Sequence, residues 1–274
     1  MPVINFPAHS LLSAYVHGFS VTERMFAPPA SSFDILPDSM LELVFCGQEL
    51  HIVADDGSPY PLPGCFLVGL LQQPLRIRAL GLVRTLRVRL WPWAVAELLG
   101  AELQAGLAGV AGVLQLSESL HRLVPAVAAA LETDAAAAVA LVQEPLLDRA
   151  LTAALPDPTL AQAARQIIGE KGDLSIEALA QAAHISPRAL RRKFQGLLGL
   201  GPKALARVSR FEAVRDGLWE NPDADLAELA LAAGYADQAH MQREFRQFSQ
   251  RTPRQFAAQM RETRRLFGNA VGVG

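Results

Sequence analysis

After Pro158 the chain repeats itself, and a repeat whose units each leave an apolar face to bury constrains the architecture more tightly than composition does. The first copy runs from Leu174-Ser175-Ile176-Glu177-Ala178-Leu179-Ala180 through His184-Ile185-Ser186-Pro187 to Leu190, Arg192 and Phe194. The second runs from Leu226-Ala227-Glu228-Leu229-Ala230 through Gly234-Tyr235-Ala236-Asp237 to Arg243, Glu244 and Phe245. Arg192, Phe194 and Pro202 return 51 residues later as Arg243, Phe245 and Pro253, while Leu179-Ala180 returns after 50 residues as Leu229-Ala230. One extra turn residue in the second copy accounts for the difference.

Each copy reads as a short helix, a turn and a second helix. Ser186 and Asp237 are suited to cap the second helices, and Pro187 falls at the first helical position, where a missing N–H costs nothing. The turns carry His184 and Gly234, two residues that accept a left-handed backbone better than most. Leu190, Phe194 and Leu197 share one helical face, and Met241, Phe245 and Phe248 repeat it. The opposite faces carry Arg188, Arg191 and Arg192 in the first copy and Ala239, Gln242 and Arg243 in the second.

This pattern is what a helix-turn-helix requires, a bracing helix followed by one whose exposed N-terminal half enters the major groove. Arg pairs bidentately with guanine O6 and N7, and Gln with adenine N6 and N7, so these faces carry the residue types that read bases. A lone basic helix is usually only a solvated face. Two register-matched copies favour recognition instead, and charge points the same way. Residues 1–159 hold 8 Lys and Arg against 15 Asp and Glu, a net of −7, whereas residues 160–274 hold 17 against 12, a net of +5. One half suits a polyanion and the other does not. His240, just before the core residue Met241, reads equally as a phosphate contact or an inert surface imidazole.

Between the copies, Pro202 to Trp219 reads as one helix with Leu205, Val208, Phe211, Val214 and Leu218 on its buried side. At ~1.5 Å per residue it is about 27 Å long, which suits two readers set near the ~34 Å between successive major-groove faces.

A chain of 274 residues also has room for a second domain. Up to about Leu90 the apolar positions come in short runs broken by turn residues, predicting strands over Leu43–Phe45, His51–Ala54, Cys65–Gly69, Leu75–Leu80 and Val83–Leu90. In the last of these, Leu86, Val88 and Leu90 alternate with Thr85, Arg87 and Arg89, which predicts a half-buried strand. A small antiparallel barrel or sandwich follows. From Trp93 to about Leu155 the period turns helical, with Pro125, Pro145 and Pro156 as helix starts and stops and Pro156-Asp157-Pro158 as the linker. The expected fold class is α+β. Residues 1–156 form a β-rich domain (about 1–92) with a helical connector (about 93–155), and residues 159–267 an all-α domain with two helix-turn-helix units. Cys46 and Cys65 are read as buried thiols, although one bridge between them is compatible with the sequence.

The C-terminal half resembles the DNA-binding domain of the AraC/XylS family of bacterial transcription regulators. The resemblance covers about residues 160–258 and lies above all in Gly234-Tyr235-Ala236-Asp237-Gln238-Ala239-His240-Met241-Gln242-Arg243-Glu244-Phe245-Arg246 followed by Thr252-Pro253-Arg254-Gln255-Phe256. Gln250 departs from the Gly usual in the family and Gly201 from its Ser or Thr. The first substitution places a side chain where a helix-ending turn favours Gly, at a local cost of about 1 kcal/mol.

The resemblance implies a seven-helix domain and transcriptional control at a promoter, with activation, through contact with RNA polymerase, the expected direction. Carried over position by position, it places base reading on Arg188, Arg191, Arg192, Gln238, Ala239, Gln242 and Arg243, and backbone contacts on groups such as Ser186, His240 and Arg246. Ala239 offers only an apolar contact, for example to a thymine methyl. The N-terminal half is similar, more weakly, to the β-rich domain on some family members, through Leu36-Pro37-Asp38 with Glu42-Leu43-Val44-Phe45, Phe66-Leu67-Val68-Gly69, and Arg89 to Pro92 with Leu98-Leu99-Gly100. Such domains sense a small molecule, dimerise, or do both. The alternative is a domain that binds a protein partner or only itself.

Enzymatic readings find little support. His9, His17 and His51 are scattered without metal-ligand spacing, and no nucleophile elbow, P-loop or dinucleotide fingerprint is present. A DNA-repair methyltransferase with this DNA-binding unit would need more than two cysteines. Asp38, Glu42 and Glu49 lie near predicted strands and are read as facing solvent. The expectation is therefore a non-enzymatic, cytoplasmic regulator without metal or cofactor. No apolar run reaches the ~18 to 20 residues that cross a bilayer, and no charged start precedes a signal core. Its partners would be double-stranded promoter DNA, RNA polymerase, a small-molecule effector and a second copy of the chain.

Overall fold

The computed structural model describes residues 3–100, 113, 114, 116 and 118–267. Its N-terminal part is one antiparallel sheet. The strands are β1 (Val3–Pro7), β2 (Val16–Ile35), β3 (Leu41–Cys46), β4 (His51–Val53), β5 (Pro59–Pro61), β6 (Cys65–Val68), β7 (Leu75–Leu90) and β8 (Val113–Leu114). The order is β1-β2-β7-β3-β6-β8, with β4 bridging β7 to β5. The predicted strands over Leu75–Leu80 and Val83–Leu90 are one strand, which passes through Gly81 at φ +78°. Its partner β2, 20 residues long, was not among the predicted strands. The β2–β7 register shifts between Phe26 and Ser31, across Pro28-Pro29, and this irregularity hides a long strand from a period-2 reading.

Each face of the sheet carries an apolar core. One face sets Phe19, Val88, Leu43 and Leu67 in a cross-strand row, with Val21, Leu86, Phe45 and Cys65 in the next, all inside a large apolar core. On the other face Val44, Cys46, Phe66 and Val68 join Phe26, Ile77, Ala79 and Val83, because the ends of β2 and β7 beyond the shift curl back over β3 and β6. Cys46 and Cys65 are both buried free thiols, and burial raises the Cys46 pKa.

Among the described residues four α-helices follow: α1 (Val95–Leu99), α2 (Glu118–His121), α3 (Val124–Ala130) and α4 (Ala135–Thr152). The part of the expected helical connector over 101–112 lies outside the described residues. Asp134 caps α4 by accepting from the amides of Ala136 and Ala137. Pro145 does not bound a helix as its type suggested. It lies inside α4, where packing of Val142 and Leu146 in the core outweighs one lost backbone bond. Asp157 then accepts from Thr159 and Leu160 N–H groups, starting the next helix.

Seven helices complete the described chain: α5 (Pro158–Gly169), α6 (Ile176–Ala182), α7 (Pro187–Leu198), α8 (Pro202–Glu220), α9 (Leu226–Ala232), α10 (Gln238–Ser249) and α11 (Pro253–Phe267). They divide between two cores. Leu160, Ile167, Leu179, Leu190, Phe194 and Leu205 belong to the same core as the inner sheet face, joined through Trp93, over whose ring Arg165 stacks at 5.1 Å. Phe211, Val214, Met241, Phe245, Phe248 and Phe256 form a separate core, onto which Leu36 packs from the segment after β2. The β-rich half therefore touches both helix-turn-helix units.

Candidate DNA-reading surface

The second helix of each copy, α7 and α10, is started by the residues that the repeat picked out. The Ser186 hydroxyl accepts from the Ala189 N–H at 3.2 Å, and the Asp237 carboxylate from the His240 N–H at 2.6 Å. Their turns close through His184 at φ +53° and Gly234 at φ +71°. Leu190 and Phe194 anchor α7 in one core, and Met241, Phe245 and Phe248 anchor α10 in the other.

Burying those stripes turns the other faces outward. Arg188, Arg191 and Arg192 on α7 are exposed, as are Ala239, Gln242, Arg243 and Arg246 on α10; Gln238 is half-buried at its first turn. Ser186 is exposed but its hydroxyl is engaged as a cap. His240 is half-exposed and tied back, with its ring edge-on to Tyr235 at 5.3 Å between ring centres and its Nε2 3.7 Å from Glu244.

α8 sets α7 and α10 in a fixed frame. It is continuous over 19 residues, about 28 Å at ~1.5 Å per residue. Phe211 packs against Phe245 and Phe248 at 5.1 and 5.3 Å between ring centres. One turn apart on the same helix, Arg207 donates through Nε to Glu244 at 2.5 Å and through Nη2 to Gln247 at 2.6 Å. Arg210 lies 3.7 Å from Glu244, donates to the Gly172 carbonyl at 3.2 Å, and stacks over Tyr235 at 5.4 Å. Arg210 thus links the loop before α6 to the helix that would read the second box. The periodicity of α8 had not singled these arginines out. The available signal was an acidic residue, Glu244, in an otherwise basic helix.

A second charged group joins the halves of the chain. Asp38 accepts from Arg89 Nη2 at 3.1 and 3.2 Å and lies 3.7 Å from Arg215 on α8. Arg215 also donates to the Pro37 carbonyl at 3.2 Å and to Asp216 at 2.8 Å. Glu212, one turn before it, hydrogen-bonds Ser39 and Asp38. Nearby, Asp34 accepts from Arg76 at 2.9 Å and from Arg251, just past α10, at 2.5 Å. Asp38 and Glu42, expected to face solvent, are instead largely buried and ion-paired. The alternation in β7 holds, with Leu86, Val88 and Leu90 buried, and its Thr85–Arg87–Arg89 face is partly covered by ion-paired carboxylates where open solvent was expected.

Burial drives the Glu212 carboxyl up to about 8, reinforced by the neighbouring Asp38 charge. Burial also pushes Asp38 upward, but Arg89 and Arg215 outweigh it and hold this carboxyl below its ordinary value. The pair therefore shares a single negative charge near neutrality, on Asp38. Among the described residues no group of three or more His, Cys, Asp and Glu side chains is arranged to hold a metal, and no helix is long and apolar enough to cross a membrane.

Two families match the sequence. One is described as a Helix-turn-helix domain, over residues 179–259, and the other as a Domain of unknown function (DUF6597), over residues 4–106. No curated protein matches the chain. Its fold is similar to that of ToxT from Vibrio cholerae, at 10% identity over 88% of this chain and 98% of that one, with a TM-score of 0.52. It is likewise similar to unsaturated fatty acid bound ToxT from the same organism, strain SCE256, at 9% identity, 87% and 94% coverage and a TM-score of 0.52. A transcriptional regulator with an AraC-type DNA-binding domain from Chromobacterium violaceum is 26% identical over 38% of this chain and 92% of its own, with a TM-score of 0.35. The likeness to ToxT is one of fold, and it extends over both the antiparallel sheet and the helical region of this chain.

Proposed function

We propose that the chain is an AraC-type transcription regulator that reads two adjacent promoter half-sites with α7 and α10 and activates transcription in response to a small molecule, a reading supported by the helix-turn-helix match over residues 179–259. The observation that carries the reading is the pair of outward faces on one rigid frame. Arg188, Arg191 and Arg192 lie on one, and Gln238, Ala239, Gln242 and Arg243 on the other, both fixed to α8. Arg and Gln are the side chains that pair with purine edges, and Arg246 with the capped starts of both helices suits backbone phosphates.

In this proposal the β-rich half senses the effector, and the protein works in the cytoplasm without enzymatic chemistry of its own. A small-molecule role is supported by the likeness to ToxT, whose structure is described with an unsaturated fatty acid bound. The Asp38–Arg215 group would carry the signal, since it joins the sheet to the helix between the readers. Self-association is favoured by Leu151 and Leu155, 70% and 80% exposed at and beyond the end of α4. Contact with RNA polymerase would follow DNA docking.

Selection from random duplex DNA by the full chain, followed by affinity measurements on the winner and a scramble at two salt concentrations, tests the reading. Two boxes about one helical turn apart, bound far more tightly than scramble, are expected. Equal binding to both sequences with the same salt slope would reduce the surface to non-specific phosphate contact.

A further inference from the structure

The two copies of the repeat differ in sign of charge at one matched position. Lys193 of α7 returns 51 residues later as Glu244 of α10, each directly after an outward-facing arginine, Arg192 or Arg243. Each also meets the element that precedes its own unit. Lys193 Nζ donates to Asp157 Oδ2, while Oδ1 of the same carboxylate accepts from the Thr159 and Leu160 N–H groups that start α5. Glu244 Oε1 accepts from Arg207 Nε on α8 at 2.5 Å, and Arg207 Nη2 donates to Gln247, further along α10, at 2.6 Å. The two grips are equivalent in place and opposite in sign.

The apolar stripes do not supply what these pairs supply. Burial of Leu190 and Phe194, or of Met241, Phe245 and Phe248, decides which face of each helix points inward, but apolar contact has no direction. A charge-assisted hydrogen bond has one. The distinction matters at base edges, because side chains stand ~6 Å from a helix axis and a roll of about 15° shifts them by about 1.5 Å. Hydrogen bonds span only ~2.7 to 3.2 Å, so a bidentate arginine contact does not survive that shift. The signs matter as well. Both units bury similar stripes, and α7 seated against α8 would bring Lys193 to Arg207 and Arg210, while α10 seated against α5 would bring Glu244 to Asp157. Like charges oppose both exchanges, so each of these helices favours its own brace.

We propose that Lys193 and Glu244 are positioning residues that fix the roll of α7 and α10 from beside their outward faces, so that base preference in one box depends on the Lys193–Asp157 pair and in the other on the Glu244–Arg207 pair. This rests on the reading of α7 and α10 as recognition helices, and it adds what aims them. The two pairs are unequal. The Glu244 side chain is 10% exposed and that of Lys193 37%, so water screens the first box's pair more and its loss costs less. Asp157 lies in the segment that joins the two halves of the chain, which gives the β-rich half a hold on α7 through the same carboxylate.

The test uses full-length protein and the duplex that wild type selects from random DNA, with Arg192→Ala and Arg243→Ala showing which box each helix reads. Base preference is the affinity for that duplex over the affinity for each single-base variant. Glu244→Lys and Lys193→Glu each import the other copy's charge. Glu244→Lys should lower preference in the α10 box about tenfold and leave the α7 box within about twofold, and Lys193→Glu should do the reverse at about threefold. Arg207→Gln should act on the α10 box as Glu244→Lys does, whereas Arg207→Lys, which keeps the charge facing Glu244, should restore most of the preference. Arg261→Gln breaks an exposed pair with Asp223 elsewhere in the helical half and should change neither box.

A general loss of stability lowers affinity for every duplex without moving preference from one box to the other, so the box-by-box ratio separates aiming from mere folding. Unchanged preference in folded Glu244→Lys and Arg207→Gln, or equal losses in both boxes, would overturn the proposal and leave the regulator reading standing. If Glu244→Lys does not fold, Arg207→Gln decides by the same criterion, since its pair is half-exposed on the arginine side. Wild type that prefers no sequence at all would overturn the regulator reading and this one with it.

Discussion

The carboxylate of Asp38 lies 3.7 Å from the guanidinium of Arg215, across 177 residues of sequence. Both side chains are mostly shielded from water, and Arg215 is one of two arginines, with Arg89, that balance the Asp38 carboxylate. Arg215→Ala leaves Asp38 with Arg89 alone and should destabilise the chain by about 1 to 3 kcal/mol, the scale of a buried hydrogen bond to a charged group. Urea unfolding of the two proteins measures this directly. A loss below about 1 kcal/mol would mean that water reaches the pair and screens it.

Glu212 makes this junction sensitive to pH. Its carboxyl stays protonated up to about 8 when folded, against an ordinary value of 4.5. Below 4.5 both folded and unfolded chains hold the proton, and its contribution to stability is complete. As pH rises from there the unfolded chain releases the proton first, so the contribution declines and is lost as pH passes through about 8. Arg89 and Arg215 remain charged throughout, and Asp38, held below its ordinary value, loses its own contribution only as pH falls into the acid range. Glu212→Gln should flatten the decline between about pH 5 and 8. Urea midpoints across that range should converge for variant and wild type at low pH and separate in the variant's favour at high pH; parallel curves would refute the assignment.

The reading helices can be separated from their phosphate contacts by substitution. Arg192→Ala or Arg243→Ala should each cost about 1 to 3 kcal/mol at the selected operator and relax preference at one base pair. Arg246→Ala should weaken binding to operator and scramble alike and lower the salt slope by about one. Competition binding with single-base operator variants distinguishes these behaviours.

Two backbone positions give predictions of opposite sign. Gln250 ends α10 at φ +55°, a conformation that a side chain disfavours. Gln250→Gly should stabilise the fold by up to about 1 kcal/mol and leave DNA affinity unchanged. Gly172 has φ +74°, and a Cβ there would stand 2.1 Å from the Ala206 carbonyl oxygen of α8. Gly172→Ala should lower the thermal midpoint and also disturb the Arg210 bond that this residue's carbonyl accepts. Thermal unfolding of both variants reads the two signs together.

What could be read in advance was local. The starts of α7 and α10, their turns and their buried stripes each depend on residues within about one or two turns, and Ser186, Pro187, His184, Gly234 and Asp237 all act as their chemistry suggested. The β-rich half depends on partners far away in sequence. The pairing of Val16–Ile35 with Leu75–Leu90 crosses a register shift that no simple alternation reveals. Alternation in β7 correctly separated Leu86 and Val88 from Arg87 and Arg89, yet a two-residue period says nothing about what covers the polar side. For the same reason Asp38 and Glu42 looked like solvent-facing carboxylates.

The unbroken helix between the two readers ties their separation to a screw of fixed pitch. Inserting one residue in α8 would advance α10 by ~1.5 Å and rotate it by about 100°. Adding one base pair to the spacer moves a half-site by ~3.4 Å and about 35° instead. The two screws share no common small step, so no change of one residue can be matched by a change of one base pair. Lineages that keep α8 intact should therefore diversify the letters of each box while conserving the distance between them.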